Sequence, residues 1–168
     1  VELFIEKDHR ACSTIITELL GKNNERKEIQ EDIFQKTVEK IENEKLYENA
    51  VLIVGEEGFH HGVIGIVASK ILDRYYKPTI IMEIKKDEGI ATASCRSIEG
   101  FNIIEALNNF SDLLLKYGGH SGAAGFSIKI ENIPEFSKKL NEYAEKTISD
   151  IAFVKPIKID KPLAFYKI

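Results

Sequence analysis

Apolar residues recur at helical spacing through the first fifty positions. Ala11, Ile15, Ile16, Leu19 and Leu20 make one stripe, which Gly21 is expected to end. A second run from Asn24 to Glu44 puts Ile29, Ile33, Phe34, Val38 and Ile41 on one face. Its other face is charged, with Glu25, Lys27, Glu28 and Glu39, so the segment reads as a solvated helical connector. At Ala50 the pattern changes. Ala50-Val-Leu-Ile-Val-Gly55 is a short apolar run closed by glycine, which predicts a buried parallel strand. Gly62 to Tyr75 is apolar nearly all round, as a helix inside a domain would be.

Pro78 to Ile84 and Ile90 to Cys95 predict two strands joined as a hairpin by the polar turn Lys85-Lys-Asp-Glu-Gly89. Asn102 can cap a helix, with Glu105 three residues on as a capping box, and Ile103, Ile104, Leu107 and Phe110 as its buried stripe. Leu113 to Lys116 is expected to extend or restart helix. Ala123 to Ile130 alternates Phe126, Ile128 and Ile130, as a fourth strand does, and Pro134 opens a last helix. These elements predict an α/β fold: a small mixed-sheet domain over residues 50–150, preceded by a long helical connector over 1–49. Residues 151–168 read as the start of a further module.

With 168 residues, 43% of them hydrophobic and 30% charged, the chain has material for one packed domain and is neither fibrous nor disordered. No run approaches the roughly 18 apolar residues of a membrane span. The start Val1-Glu2-Leu3-Phe4-Ile5-Glu6 is acidic where a signal peptide is basic, so a cytoplasmic setting is expected. The chain does not open on Met and is expected to be part of a longer protein. Cys12 and Cys95, 83 positions apart, read as reduced, space-filling thiols. The net charge of −4 resides in residues 1–50, which carry 8 basic and 12 acidic side chains. A polyanion would therefore have to be held by a local pocket, not by a generally basic surface.

Three segments could carry chemistry. Gly58-Phe-His-His-Gly-Val-Ile-Gly65 lies between a predicted strand and a helix, where unpaired N–H groups favour anions. Its histidines read equally as loop residues, one of them capping the helix. Ser94-Cys-Arg-Ser97 flanks an arginine with two hydroxyls, a set able to grip a phosphate or carboxylate, or else to bridge a surface acid such as Glu99. Gly118-Gly-His-Ser-Gly-Ala-Ala-Gly125 reads as a bare loop from which His120 projects; such a run also suits tight packing. The four histidines and seven scattered aspartates suggest no metal cluster, and Asp8-His9-Arg10 reads as a helix cap. Neither a metal nor a covalent nucleophile is expected within the chain.

Taken together, Phe59-His-His-Gly-Val-Ile-Gly-Ile-Val-Ala-Ser-Lys70, Ser94-Cys-Arg-Ser97 and Tyr117-Gly-Gly-His-Ser-Gly-Ala-Ala-Gly125 resemble, in order and spacing, the DHH-associated domain of the RecJ exonucleases. The resemblance covers about residues 50–148. Phe59 stands where that family often has Trp, and Cys95 where Gly is common. The arm with Asn23-Asn-Glu-Arg26 resembles the family's connector, and the tail the entry to its oligonucleotide-binding fold. The resemblance implies a 5′-to-3′ exonuclease for single-stranded DNA. Its divalent metal (Mn or Mg) would sit in a preceding DHH domain, the partner of this chain in cis. The fragment would be the substrate-binding half and inactive alone, with no membrane partner. Arg96, Ser94 and Ser97 would bind phosphate, Gly118 and Gly119 would offer N–H groups, His120 and His60 further donors, and Arg26 a second cation. Two alternatives are an oligoribonuclease or cyclic-dinucleotide phosphodiesterase of the same superfamily, and a noncatalytic interaction module.

Overall fold

The computed structural model describes residues 2–149 and 153–157. A short helix α1 (Glu2–Ile5) precedes the long helix α2 (His9–Asn43), which Asp8 caps by accepting from the N–H groups of Arg10 and Ala11. The domain proper runs β1 (Leu52–Glu56), α3 (His61–Tyr75), β2 (Thr79–Lys85), β3 (Ile90–Arg96), α4 (Ile103–Asn108), β4 (Leu114–His120), β5 (Ala123–Lys129) and α5 (Ile133–Thr147). Asn102 caps α4 by accepting from the Glu105 N–H, and Pro134 lies in the first turn of α5, both as expected.

Two expectations need correction. Gly21 does not end a helix, because α2 is continuous through it. A glycine stop requires the left-handed conformation, which Gly21 does not adopt. Inside a helix it costs only about 1 kcal/mol, which good helix formers on either side offset. Leu113 to Lys116 is not helix either. After a single 3-10 turn (Ser111–Leu113) the chain enters β4, so the presumed glycine loop is the tip of a β4–β5 hairpin. The run Leu113-Leu-Leu-Lys116 has no β-branched residue, and two glycines follow it. Neither feature favours a strand, and pairing with β5 overrides both.

The sheet order is β1-β2-β3-β5-β4, with β1 parallel to β2 and the other pairs antiparallel. Period-two alternation sends Ile80, Met82, Ala93, Cys95, Phe126 and Ile128 to one face, under α4 and α5, with Phe136 and Leu140 at the centre of that core. The opposite face buries Leu52, Val54 and Ile81 beneath α3 and the second half of α2, through Ile64, Val67, Ile71, Ile33 and Ile41. Helix α3 packs on β2 and β3. Beyond it, β5 presents Ala123, Gly125, Ser127 and Lys129, and β4 presents Lys116, Gly118 and His120, to that side. The binary pattern of β5 thus leaves half of one sheet face polar and open.

Both cysteines were expected to fill space. Cys95 does, fully buried, whereas Cys12 is half-exposed on α2, facing the Glu6 carbonyl at 3.7 Å. Burial pushes the Cys95 thiol from its ordinary 9.0 up to about 12, so it is inert at neutral pH. The unfolded chain ionises this thiol first. Its contribution to stability is therefore complete below pH 9 and is lost as pH rises to about 12. Thermal midpoints of the wild type should fall across that window more steeply than those of Cys95→Ala; parallel curves would contradict the assignment.

Of the tail read as a further module, only 153–157 are described. Lys155 bonds Asp73 at 3.1 Å, and Phe153 packs against the α5-side core. The strand expected there lies outside the described residues. No helix among the described residues is long and apolar enough to cross a membrane.

Candidate functional site

Register places the candidate residues in rows across the open face. Arg96 on β3 pairs with Ala123 on β5, which pairs with His120 on β4. Directly opposed residues share a face, so Arg96 and His120 lie on one side of the sheet, about 10 Å apart at Cα. Ser94, Gly125 and Gly118 form the next row, and Thr92, Ser127 and Lys116 the one after.

Arg96 is held by neutral acceptors. Its Nε donates to Ser69 Oγ on α3 (3.1 Å), and its Nη1 to Ser94 Oγ (3.3 Å) and the Cys95 carbonyl (2.8 Å). Nη2 makes no bond among the described residues, leaving two N–H donors of a half-buried cation available. The guanidinium fits because α3 has Gly65 where it passes. A Cβ there would lie 3.0 Å from Ser94 Oγ and 3.2 Å from Arg96 Nη2. Gly65 and Ser69 lie within the Phe59–Lys70 segment but have no role assigned to them from the sequence; their helical i, i+4 spacing, facing a strand arginine, is the signal that points to one.

Ser97 does not join the row. It follows Arg96 off the strand end, its Oγ donates to the Phe101 carbonyl (2.7 Å), and its N–H donates to the Gly122 carbonyl. It braces the loop beside Arg96. His60 caps α3, with Nδ1 accepting from the Gly62 N–H at 3.0 Å. His120 Nδ1 accepts from the Gly122 N–H at 3.3 Å. In each neutral ring the proton is therefore on Nε2, which points a donor outward. Arg26 bonds Asn23 and Gln30 of its own helix, and no bond links it to the strand rows.

The two glycines differ. At Gly119 (φ +148) a Cβ would lie 2.4 Å from the Ala123 carbonyl oxygen, so hairpin closure itself demands glycine. Gly118 has an ordinary φ and nothing within 4 Å of its Cβ position. The fold leaves it bare, and it lines an open trough of ≈ 590 Å³ together with His61, Thr92, Lys116, Gly125 and Ser127. Glu83 and Lys85 close its far rim, where Glu88, bonded to Lys85 at 3.1 Å, holds the ammonium above its ordinary range. Thr92, Lys116 and Ser127 are absent from the site residues expected from the sequence, and His61 enters them only within the histidine segment. Lys116 takes its place on this face because Leu114–His120 is a strand rather than helix and loop. No group of three or more His, Cys, Asp or Glu side chains among the described residues could hold a metal ion, so a divalent metal does not fit the described residues.

The DHHA1 domain model matches residues 46–146. The chain belongs to the DHHA1 domain family. Among curated relatives of this DHHA1 domain, the single-stranded-DNA-specific exonuclease RecJ of Bacillus subtilis is 36% identical over 160 residues, covering 95% of this chain and 20% of the relative. RecJ of Thermus thermophilus is 31% identical over 146 residues, covering 87% and 20%. The chain thus spans about a fifth of the length of these relatives. Thermus RecJ in complex with Mn2+ superimposes with a TM-score of 0.73 at 30% identity, covering 84% of this chain and 20% of that one. An exonuclease RecJ bound to manganese gives 0.74 at 30% identity, covering 86% and 35%. The resemblance to the DHH-associated part of RecJ is thereby borne out.

Proposed function

We propose that this DHHA1 domain is the phosphate-gripping half of a RecJ-like 5′-to-3′ exonuclease for single-stranded DNA. The hydrolytic step and its divalent metal (Mn or Mg) belong to a preceding DHH domain, with residues 1–49 as the connector. The observation that carries this reading is Arg96: Nε and Nη1 are fixed by neutral oxygens, Nη2 is unspent, and His120 lies in the same row. A guanidinium held in this way meets an anion with little reorganisation and at small entropic cost. Ser94 orients it, Ser97 braces the loop beside it, and the outward donors of His120 and His60 extend the grip. The bare backbone at Gly118 admits a phosphate or sugar without steric conflict. Contacts of this kind read no bases, so binding is expected to tolerate any sequence.

The test is binding of 5′-phosphorylated and 5′-hydroxyl oligothymidylate by the full-length protein. The phosphorylated strand should bind about tenfold or more tightly, the effect of one charge-assisted hydrogen-bonded pair. Equal affinities would contradict a grip on a terminal phosphate and favour a protein-interaction role.

A further inference from the structure

Two residue pairs down the strands from Arg96, a third row of polar groups has no hydrogen-bond or ion-pair partner among the described residues. Lys116 on β4, Ser127 on β5 and Thr92 on β3 stand opposite one another in register, facing the trough. Lys116 is exposed and makes no ion pair or hydrogen bond among the described residues. Ser127 is only 4% exposed, yet its hydroxyl bonds nothing among the described residues. No fully buried side-chain oxygen or nitrogen lacks a partner among the described residues, so this hydroxyl reaches the trough. A nearly buried, unbonded hydroxyl beside an unpaired ammonium is an incomplete hydrogen-bonding arrangement that an anion would complete. Between this row and Arg96 lies the pair Gly118–Gly125, a floor without side chains.

We propose that Lys116, Ser127 and Thr92 form a second phosphate subsite, occupied by an internal phosphodiester of a strand whose end lies at Arg96. The inference rests on the proposed grip at Arg96 and extends it to the class of substrate. Four residues of strand separate the rows, about 13 Å. A single phosphate cannot span that distance, whereas a linear polyanion crossing the glycine floor reaches both rows. Glu83 closes the same row beyond Thr92 and repels an anion, which confines the phosphate to the β5–β4 side. The trough therefore selects oligomers over dinucleotides.

The experiment compares a 5′-phosphorylated dinucleotide with a long 5′-phosphorylated oligothymidylate, binding to the full-length protein and its Lys116→Ala, Lys116→Arg and Arg96→Ala variants. Lys116→Ala should narrow the preference for the long strand over the dinucleotide by about three- to tenfold, the effect of one exposed charge-assisted contact. It should also lower the salt slope for the long strand by about 0.7, one phosphate contact on a single strand. Lys116→Arg should restore most of the preference. Ser127→Ala, nearly isosteric, should weaken long-strand binding in the same direction. An unchanged preference in Lys116→Ala, while Arg96→Ala still weakens both ligands, would overturn the second subsite and leave the grip standing. If Arg96→Ala weakens neither ligand, the grip and the subsite fall together.

Discussion

Replacing Arg96 by Ala in the full-length protein is expected to raise KM for single-stranded DNA by about 10- to 100-fold, the worth of a charge-assisted hydrogen-bond pair of roughly 1.5–3 kcal/mol. The number of bound metal ions should not change, because a protonated guanidinium has no lone pair to offer a metal. Arg96→Lys should recover little. A lysine carries the charge but cannot bond Ser69 and Ser94 while presenting two further donors from one plane. Ser69→Ala separates positioning from charge. It leaves the guanidinium present but frees its Nε end, so a smaller loss in affinity is expected with the thermal midpoint nearly unchanged. An unaltered KM in Arg96→Ala would remove Arg96 from substrate binding.

Gly119→Ala is expected to destabilise the domain by about 3 kcal/mol or more, the range of a forced steric overlap in a paired strand. Its Cβ would meet the Ala123 oxygen at 2.4 Å, Ala124 Cα at 2.5 Å and Ala124 Cβ at 2.7 Å. None of these atoms is the flexible end of a long side chain, so β4 and β5 would have to part. The backbone conformation at φ +148 adds strain for any L side chain. Gly118→Ala, one residue away, should change stability by less than about 1 kcal/mol, since its Cβ enters empty space. It should nonetheless weaken substrate binding, because that space is the trough. Denaturant unfolding of the two variants side by side checks the contrast; equal destabilisation would show that the fold requires both glycines.

The parts of this fold legible in the sequence are those where local preference and tertiary packing agree. Val51 to Val54 and Ile80 to Met82 are apolar runs that end in β1 and β2, and Asp8 and Asn102 are caps whose side chains do the bonding expected of them. Legibility fails where packing overrides preference. Leu113 to Lys116 has a helical look and becomes the approach to an edge strand, because the apolar side of β5 needs a neighbour that only β4 supplies. Because Leu114–His120 is a strand, the expected glycine loop is a hairpin, and Lys116, Gly118 and His120 alternate onto one face. The same holds for the histidine pair: the cap His60 could be anticipated from the helix start, whereas His61 gains its place on the trough only from the angle at which α3 crosses the sheet. Arg96 stood out because an arginine between hydroxyls is chemically conspicuous. What fixes its orientation, Gly65 and Ser69, lies some thirty residues earlier on another element.

In the proposed function the open half of the sheet, between Arg96 and His120, holds the phosphate at a strand end. A crystal of the full-length protein with an oligothymidylate carrying a 5′-terminal thiophosphate tests it most directly, since sulfur can be located by its anomalous signal. The terminal group is expected at about 3 Å from Arg96 Nη2, with the guanidinium still bonded to Ser69 and Ser94. A terminal sulfur found on another surface, with Nη2 still unbonded, would contradict it.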